Sequence, residues 1–120
     1  MPVESEEEQA FQAALDAVAK RFEDKISGFL SEITGIRETI EAEFKQLDAD
    51  NVALKDGVEL LLAKSHVLVG SAGQFGHPDL TELARAVEEM CISIVEANLG
   101  NPDAFPLLFE LTNQLENYKA

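Results

Sequence analysis

Cysteine, basic residues and long apolar runs are all scarce in this chain of 120 residues. The single cysteine, Cys91, excludes an intramolecular disulfide and fits a reducing compartment. Nine basic residues stand against 23 acidic ones, and the resulting net charge of −14 makes nucleic acid and anionic membranes poor partners. No apolar run approaches the roughly 20 residues that span a bilayer, and no leader opens the sequence. We therefore expect a cytoplasmic protein.

Several motifs that carry chemistry are also missing. Walker-type phosphate loops, nucleophile elbows and Rossmann glycines do not occur. The two histidines, His66 and His77, are eleven residues apart with no cysteine close in sequence, which is a poor zinc spacing. His77 precedes Pro78 and is expected to cap the next helix or to lie in solvent. We expect no metal and no cofactor on this chain, and no sign marks it as a stand-alone enzyme.

Helical periodicity dominates what is present, because apolar residues recur at steps of three and four and no strand-like alternation persists. Turn signals lie at 48–51, 73–78 and 100–102, where short polar residues, glycines and prolines cluster. The sequence predicts an all-α protein, an antiparallel four-helix bundle with an additional N-terminal helix or helical extension. Its last three apolar stripes begin at Leu54, Leu80 and Phe105.

The first apolar stripe runs from Phe11 to Leu47 without a proline, and it allows two interpretations. A break near residues 21–25 would give an extension over 1–24 and a bundle over 25–120, which we favour slightly. One helix of nearly forty residues would instead be on the order of 60 Å long at 1.5 Å per residue. A helix of that length would protrude from the bundle, and a homodimer through its N-terminal part is the structural hypothesis that follows.

The run from Ser65 to Gly76 is the most informative part of the chain. His66 lies about 100° from the centre of its helix's apolar stripe, on the flank, with alanine and glycine one turn away on either side. Gly70 stands in the interior of the same helix, where glycine costs about 1 kcal/mol relative to alanine. Gly70 therefore suggests that a small residue is needed here, so that another protein can approach the exposed imidazole closely. Glu88, at the edge of the next apolar stripe, could face this histidine.

These residues resemble the signature of histidine-containing phosphotransfer (HPt) domains, approximately His-x-x-Lys-Gly-[Ser/Ala]-[Ala/Ser]-x-x-x-Gly. His66, Gly70, Ser71, Ala72 and Gly76 fall in register with it. The resemblance implies that His66 is a phosphoacceptor, forming a phosphohistidine as it passes a phosphoryl group between receiver-domain aspartates. The implied partners are receiver domains of response regulators or hybrid kinases, which would carry the Mg²⁺. The platform and docking residues would be Ala63, Val69, Gly70, Ser71, Gly73 and Gly76.

One position departs from this signature, because Val69 stands where the family usually has lysine. Lys64 lies about 200° around the helix from His66 and cannot replace it, and Arg85 is expected to point away from the bundle. We therefore expect slower transfer or less phosphohistidine than in a relative with the lysine. Two other hypotheses stay open: an HPt-like adaptor that binds a receiver or kinase without transfer, and the structural helical dimer.

Overall fold

The computed structural model describes residues 5–48 and 50–119, which contain four helices. They are α1 (Glu6–Phe44), α2 (Val52–Gln74), α3 (Pro78–Glu96) and α4 (Ala104–Glu116). The predicted all-α fold is confirmed. The ends of the two predicted domain ranges, at 1–4 and 120, and Ala49 of the predicted turn lie outside the described residues.

The helices form an up-down-up-down bundle in which each is antiparallel to its neighbours. The Phe22 ring of α1 stacks on Phe75 just beyond α2, with centroids 4.9 Å apart. At the other end, a Cβ added to Gly57 of α2 would lie 3.0 Å from Cγ1 of Ile40. This glycine therefore lets α1 and α2 approach closely. Apolar residues of all four helices form the buried core, whose largest side chains are Phe105, Ile33, Ile40, Leu54, Leu61, Leu68, Leu80, Ile94, Leu108 and Leu115.

The first helix is continuous, so the favoured break near residues 21–25 is wrong. Phe22 and Ile26 are both buried against the bundle, and the charged residues between them face solvent. The apolar spacing therefore passes through this segment without losing phase, and no proline removes a backbone hydrogen bond. The expected domain boundary at 24/25 falls inside α1 and stays a prediction. Because α1 is 39 residues long, the molecule measures 68 × 21 × 20 Å.

The helix starts follow the side chains that cap them. The Ser5 hydroxyl accepts from the backbone N–H of Glu8 at 3.1 Å, and the Asn51 side chain accepts from that of Leu54 at 3.0 Å. The capping predicted for the turn before α2 is confirmed at Asn51. Pro78 opens α3, where its missing N–H costs nothing.

An aromatic group closes the end of the bundle from which the first part of α1 emerges. It consists of Phe22, Phe75, His77 and Tyr118. His77 is half-buried, and its Nδ1 lies 2.9 Å from the Tyr118 hydroxyl. His77 occupies the N-cap position of α3, but the expectation that its side chain caps the helix or lies in solvent is wrong, because the side chain makes no cap hydrogen bond and pairs with Tyr118, two residues past the end of α4. No helix in the described ranges is long and apolar enough to cross a membrane.

Arg37 joins α1 to α4 and is expected to matter for stability. Its Nε donates to Glu116 at 2.6 Å and its Nη1 to Glu41 at 2.7 Å, and the hydrogen bond to Glu116 is the main reason its pKa is raised. Because Arg37→Ala leaves the largely buried Glu116 unpaired, it should lower the free energy of unfolding by about 1–3 kcal/mol in urea titrations. Lys64→Ala breaks an exposed pair with Glu32 and should cost no more than about 0.5 kcal/mol. Equal losses would contradict this assignment.

Candidate functional site

The His66 side chain stands on the solvent flank of α2 and is held there by one contact. It is 78% exposed, and its Nδ1 lies 2.6 Å from Oε2 of Glu88 on α3. The Glu88 side chain is only 17% exposed, so the anchor is sheltered while the ring is open. Both the exposure of His66 and its proximity to Glu88 agree with the expectations from helical phase.

This contact decides which ring nitrogen is available for chemistry. An ionised carboxylate can only accept hydrogen bonds, so Nδ1 must carry the proton and donate it to Glu88. In the neutral ring, Nε2 then holds the free lone pair, on the side of the ring away from α3. The carboxylate thereby fixes both the tautomer and the orientation of the imidazole.

The register between α2 and α3 places other side chains around the imidazole. His66 is opposite Glu88, and seven residues along both helices, a Cβ on Gly73 would lie 3.9 Å from Oγ1 of Thr81. Antiparallel helices that match at both points place the backbone of Arg85 level with that of Val69, one turn along from His66. Arg85 is exposed, as predicted, and it makes no ion pair with another described residue.

A shallow depression surrounds the imidazole and mixes acidic with apolar side chains. Its lining comprises Glu59, Leu62, Ala63, His66, Glu88 and Ile92. Ile92 is 38% exposed, whereas Val67, which is 52% exposed, follows the histidine in sequence but points about 100° around α2 from it and is not part of this lining. Neither residue belongs to the signature that predicted the site. The signal was available for both, because each is a large apolar residue outside its helix's core stripe.

The predicted platform residues are distributed unequally around His66. Ala63 lines the depression, and Gly70 lies one turn away with nothing within 4 Å of a Cβ built on it. Val69 is half-buried against the core. Ser71 is also half-buried, and at 100° per residue it lies about 140° around the helix from the histidine. The structure thus brings Ala63 and Gly70 to the imidazole and directs Ser71 elsewhere.

The two remaining platform residues lie further along α2. Gly73 faces α3, and Gly76 lies past the helix end, roughly 15 Å from His66 at 1.5 Å per residue. Gly76 adopts a φ of +77°, and the following N–H, of His77, bonds back to the carbonyl of Ala72 at 2.9 Å. A residue without a Cβ at this point ends the helix in a Schellman turn. The structure therefore gives Gly76 a role in the chain reversal between α2 and α3.

Two other polar groups do not contribute reactive chemistry to the site. Lys64 bonds Glu32 of α1 at 2.9 Å, which confirms that it lies away from His66. Burial, with a smaller contribution from Glu88, raises the pKa of the Cys91 thiol to about 12, so this cysteine stays protonated and unreactive. Across residues 5–48 and 50–119, no group of three or more His, Cys, Asp or Glu side chains is arranged to hold a metal ion.

Comparison with known protein families agrees with this geometry. The model of the Hpt domain matches residues 26–120. The chain belongs to the Hpt domain family. Hpt domains carry out histidine phosphotransfer in phosphorelays, where they interact with receiver domains. The match begins inside α1 and includes all of α2, α3 and α4. No curated protein and no solved structure matches the chain.

Gly70 offers a direct test of whether this part of the Hpt domain is shaped for folding or for access. A Cβ there meets no neighbour, so Gly70→Ala should stabilise the fold by up to about 1 kcal/mol through helix propensity alone. Gly28→Ala on α1 is the matched control, because that exposed helical glycine also has nothing within 4 Å. Thermal unfolding should show similar gains for both. A loss for Gly70→Ala alone would show that the glycine is needed for packing.

Proposed function

We propose that this Hpt domain is a phosphocarrier that passes a phosphoryl group between receiver-domain aspartates through Nε2 of His66. The observation that carries the proposal is the bond between Nδ1 and Glu88, which leaves an exposed imidazole with its nucleophilic nitrogen directed outward. A surface position suits a nucleophile whose substrate is attached to another protein. An occluded pocket would exclude a receiver domain.

The transfer step needs little from this chain beyond the positioned ring. The Nε2 lone pair attacks the phosphorus of an aspartyl phosphate, an N–P bond forms, and the P–O bond to the aspartate breaks with its electrons leaving on the carboxylate. Because Nδ1 keeps its proton, the ring gains positive charge as the bond forms. Glu88, 2.6 Å away, stabilises that charge. In the reverse direction the same proton makes the imidazole a good leaving group.

We assign to Arg85 the cation that Val69 does not supply; its exposed side chain would extend to the imidazole from outside the depression around it. The register of α2 and α3 places Arg85 level with Val69, at the position along the groove where a lysine usually stands in this family. The intervening surface at Gly70 is open, so a guanidinium can extend across it toward phosphoryl oxygens on Nε2. Exposure of Arg85 keeps it available until a phosphoryl group arrives.

The docking surface for the receiver domain is the α2–α3 face around His66. The exposed side chain of Ile92 gives it apolar area, and Ala63 and Gly70 keep it low beside the imidazole. Such a mixture of small and apolar residues allows the receiver's aspartate to come within bonding distance of Nε2. The Mg²⁺ that phosphoryl transfer requires belongs to the receiver, and the carrier contributes no ligand to it.

Replacement of each histidine separately tests the assignment of His66. A panel of receiver domains charged with ³²P-labelled acetyl phosphate should transfer acid-labile, base-stable label to the wild-type chain and to His77→Ala. His66→Ala should accept no label. Circular dichroism should show unchanged helicity for His66→Ala, because this side chain is exposed and contributes nothing to the core.

The same experiment separates transfer from the adaptor hypothesis. A receiver that binds wild-type chain and His66→Ala equally, with no label on either, indicates an adaptor and contradicts the phosphocarrier proposal. Label that persists in His66→Ala and disappears in His77→Ala would place the acceptor at the other histidine.

Arg85 and Val69 can be tested together by loss and rescue. Arg85→Ala should slow phosphoryl transfer to His66 by about one to two orders of magnitude, since a charge-assisted hydrogen bond contributes on the order of 1.5–3 kcal/mol. Adding Val69→Lys in the same chain should restore the rate, because the ammonium would reach the same oxygens from α2. Rapid-quench labelling measures both rates. An unchanged rate for Arg85→Ala, or a double variant as slow as the single one, would contradict the assignment.

A further inference from the structure

The first part of α1 presents an apolar stripe beyond the end of the bundle. Phe11 is 66% exposed, Leu15 48% and Val18 44%, and they continue the spacing of the buried Phe22 and Ile26. The same helix face is therefore buried within the bundle and exposed to solvent beyond it. Residues 6–21 that carry it are roughly 24 Å long at 1.5 Å per residue. We propose that a second copy of this chain covers the stripe, with the two α1 segments antiparallel.

Charge along the segment favours another copy in this orientation. Its first turn carries Glu6, Glu7 and Glu8, and its last turn carries Lys20 and Arg21. Antiparallel pairing places the acidic turn of each copy beside the basic turn of the other. Parallel pairing would instead bring six carboxylates together at one end. A membrane surface is a poor alternative occupant because the chain carries a net charge of −14.

The apolar spacing defines the register of the pair. Phe11, Leu15, Val18 and Phe22 follow steps of four, three and four, which is the seam of a two-stranded coiled coil. Setting Phe11 against the partner's Leu15 makes this seam contact twice by symmetry. Glu7, Ala14 and Arg21 are spaced by seven residues and flank the seam, where Ala14 then lies against the partner's Ala14. In this register Glu7 lies beside the partner's Arg21, also twice. The same offset therefore satisfies the apolar contacts and the ion pairs.

The arrangement leaves the phosphotransfer surface open. The aromatic group at Phe22 and Phe75 marks the end of the bundle, and His66 is nine residues back along α2 from Phe75, roughly 13 Å away. The two bundles lie at opposite ends of the paired segments, so each keeps its own α2–α3 face. Each segment adds only three large apolar side chains, so the dimer should dissociate reversibly on dilution.

Analytical ultracentrifugation over a concentration series tests the pairing. The wild-type chain should shift from the monomer mass to twice that mass as concentration rises. Leu15→Glu should weaken dimerisation at least tenfold. Leu107→Glu is the matched control, because Leu107 on α4 is 52% exposed and lies outside the segment. The dimer dissociation constant of this variant should equal that of the wild type.

Charge reversal tests the orientation. Glu7→Arg and Arg21→Glu should each weaken the dimer by about three- to tenfold, and the double variant should recover the wild-type constant. A parallel dimer would respond in the opposite sense to Glu7→Arg, which would relieve repulsion and tighten it. That result, or a monomer at every concentration, would overturn the proposal. Leu15→Glu should accept label on His66 as the wild type does, so this test is independent of the phosphocarrier assignment.

Discussion

The packing of α2 against α3 is the constraint on which the rest of the site depends. Buried side chains on both helices, such as Leu68 and Val87, hold the two helices in one register. Rotation or sliding of either helix would expose apolar surface to water, at a free-energy cost of about 25 cal/mol per Å². The arrangement is therefore rigid. That rigidity places Glu88 at His66 and Arg85 level with Val69. The geometry around His66 is therefore produced by residues buried in the core.

Exposure of the site follows from the same division of labour. A buried imidazole would need every polar atom satisfied, whereas the exposed ring of His66 needs one anchor and leaves its other nitrogen to the solvent. Glu88 provides this anchor, because its side chain is largely buried while its carboxylate reaches the edge of the α2–α3 pair, where His66 lies. The sheltered position reduces competition from water for the hydrogen bond to Nδ1 and keeps the tautomer fixed.

The continuity of α1 connects two different environments in one helix. From Phe22 onward its apolar face completes the core, and before that residue the same face extends past the aromatic end of the bundle. An isolated segment of sixteen residues would be marginal as a helix in water, because nucleation is costly. Here the bundle supplies the nucleus, so the segment propagates from an existing helix and holds its apolar side chains in a line.

Much of this protein was determined by its sequence alone. The steps of three and four predicted α2, α3 and α4, the short polar residues at 48–51 predicted a cap for α2, and the phase of α2 placed His66 in solvent next to Gly70. These features are local, since they depend on positions within one or two helical turns. They could be read without knowledge of how the helices meet.

Only the tertiary structure decided the features that depend on how two helices pack against each other. Sequence periodicity could not choose between a broken and a continuous α1, because the charged residues after Phe22 are equally compatible with a turn and with a solvated face. Packing of Phe22 and Ile26 against the bundle decided it. The pairing of His77 with Tyr118 and the register that aligns Arg85 with Val69 likewise join residues distant in sequence. Helical phase gives the direction of a side chain around its own axis, and only the packed bundle fixes which residue on the next helix it meets.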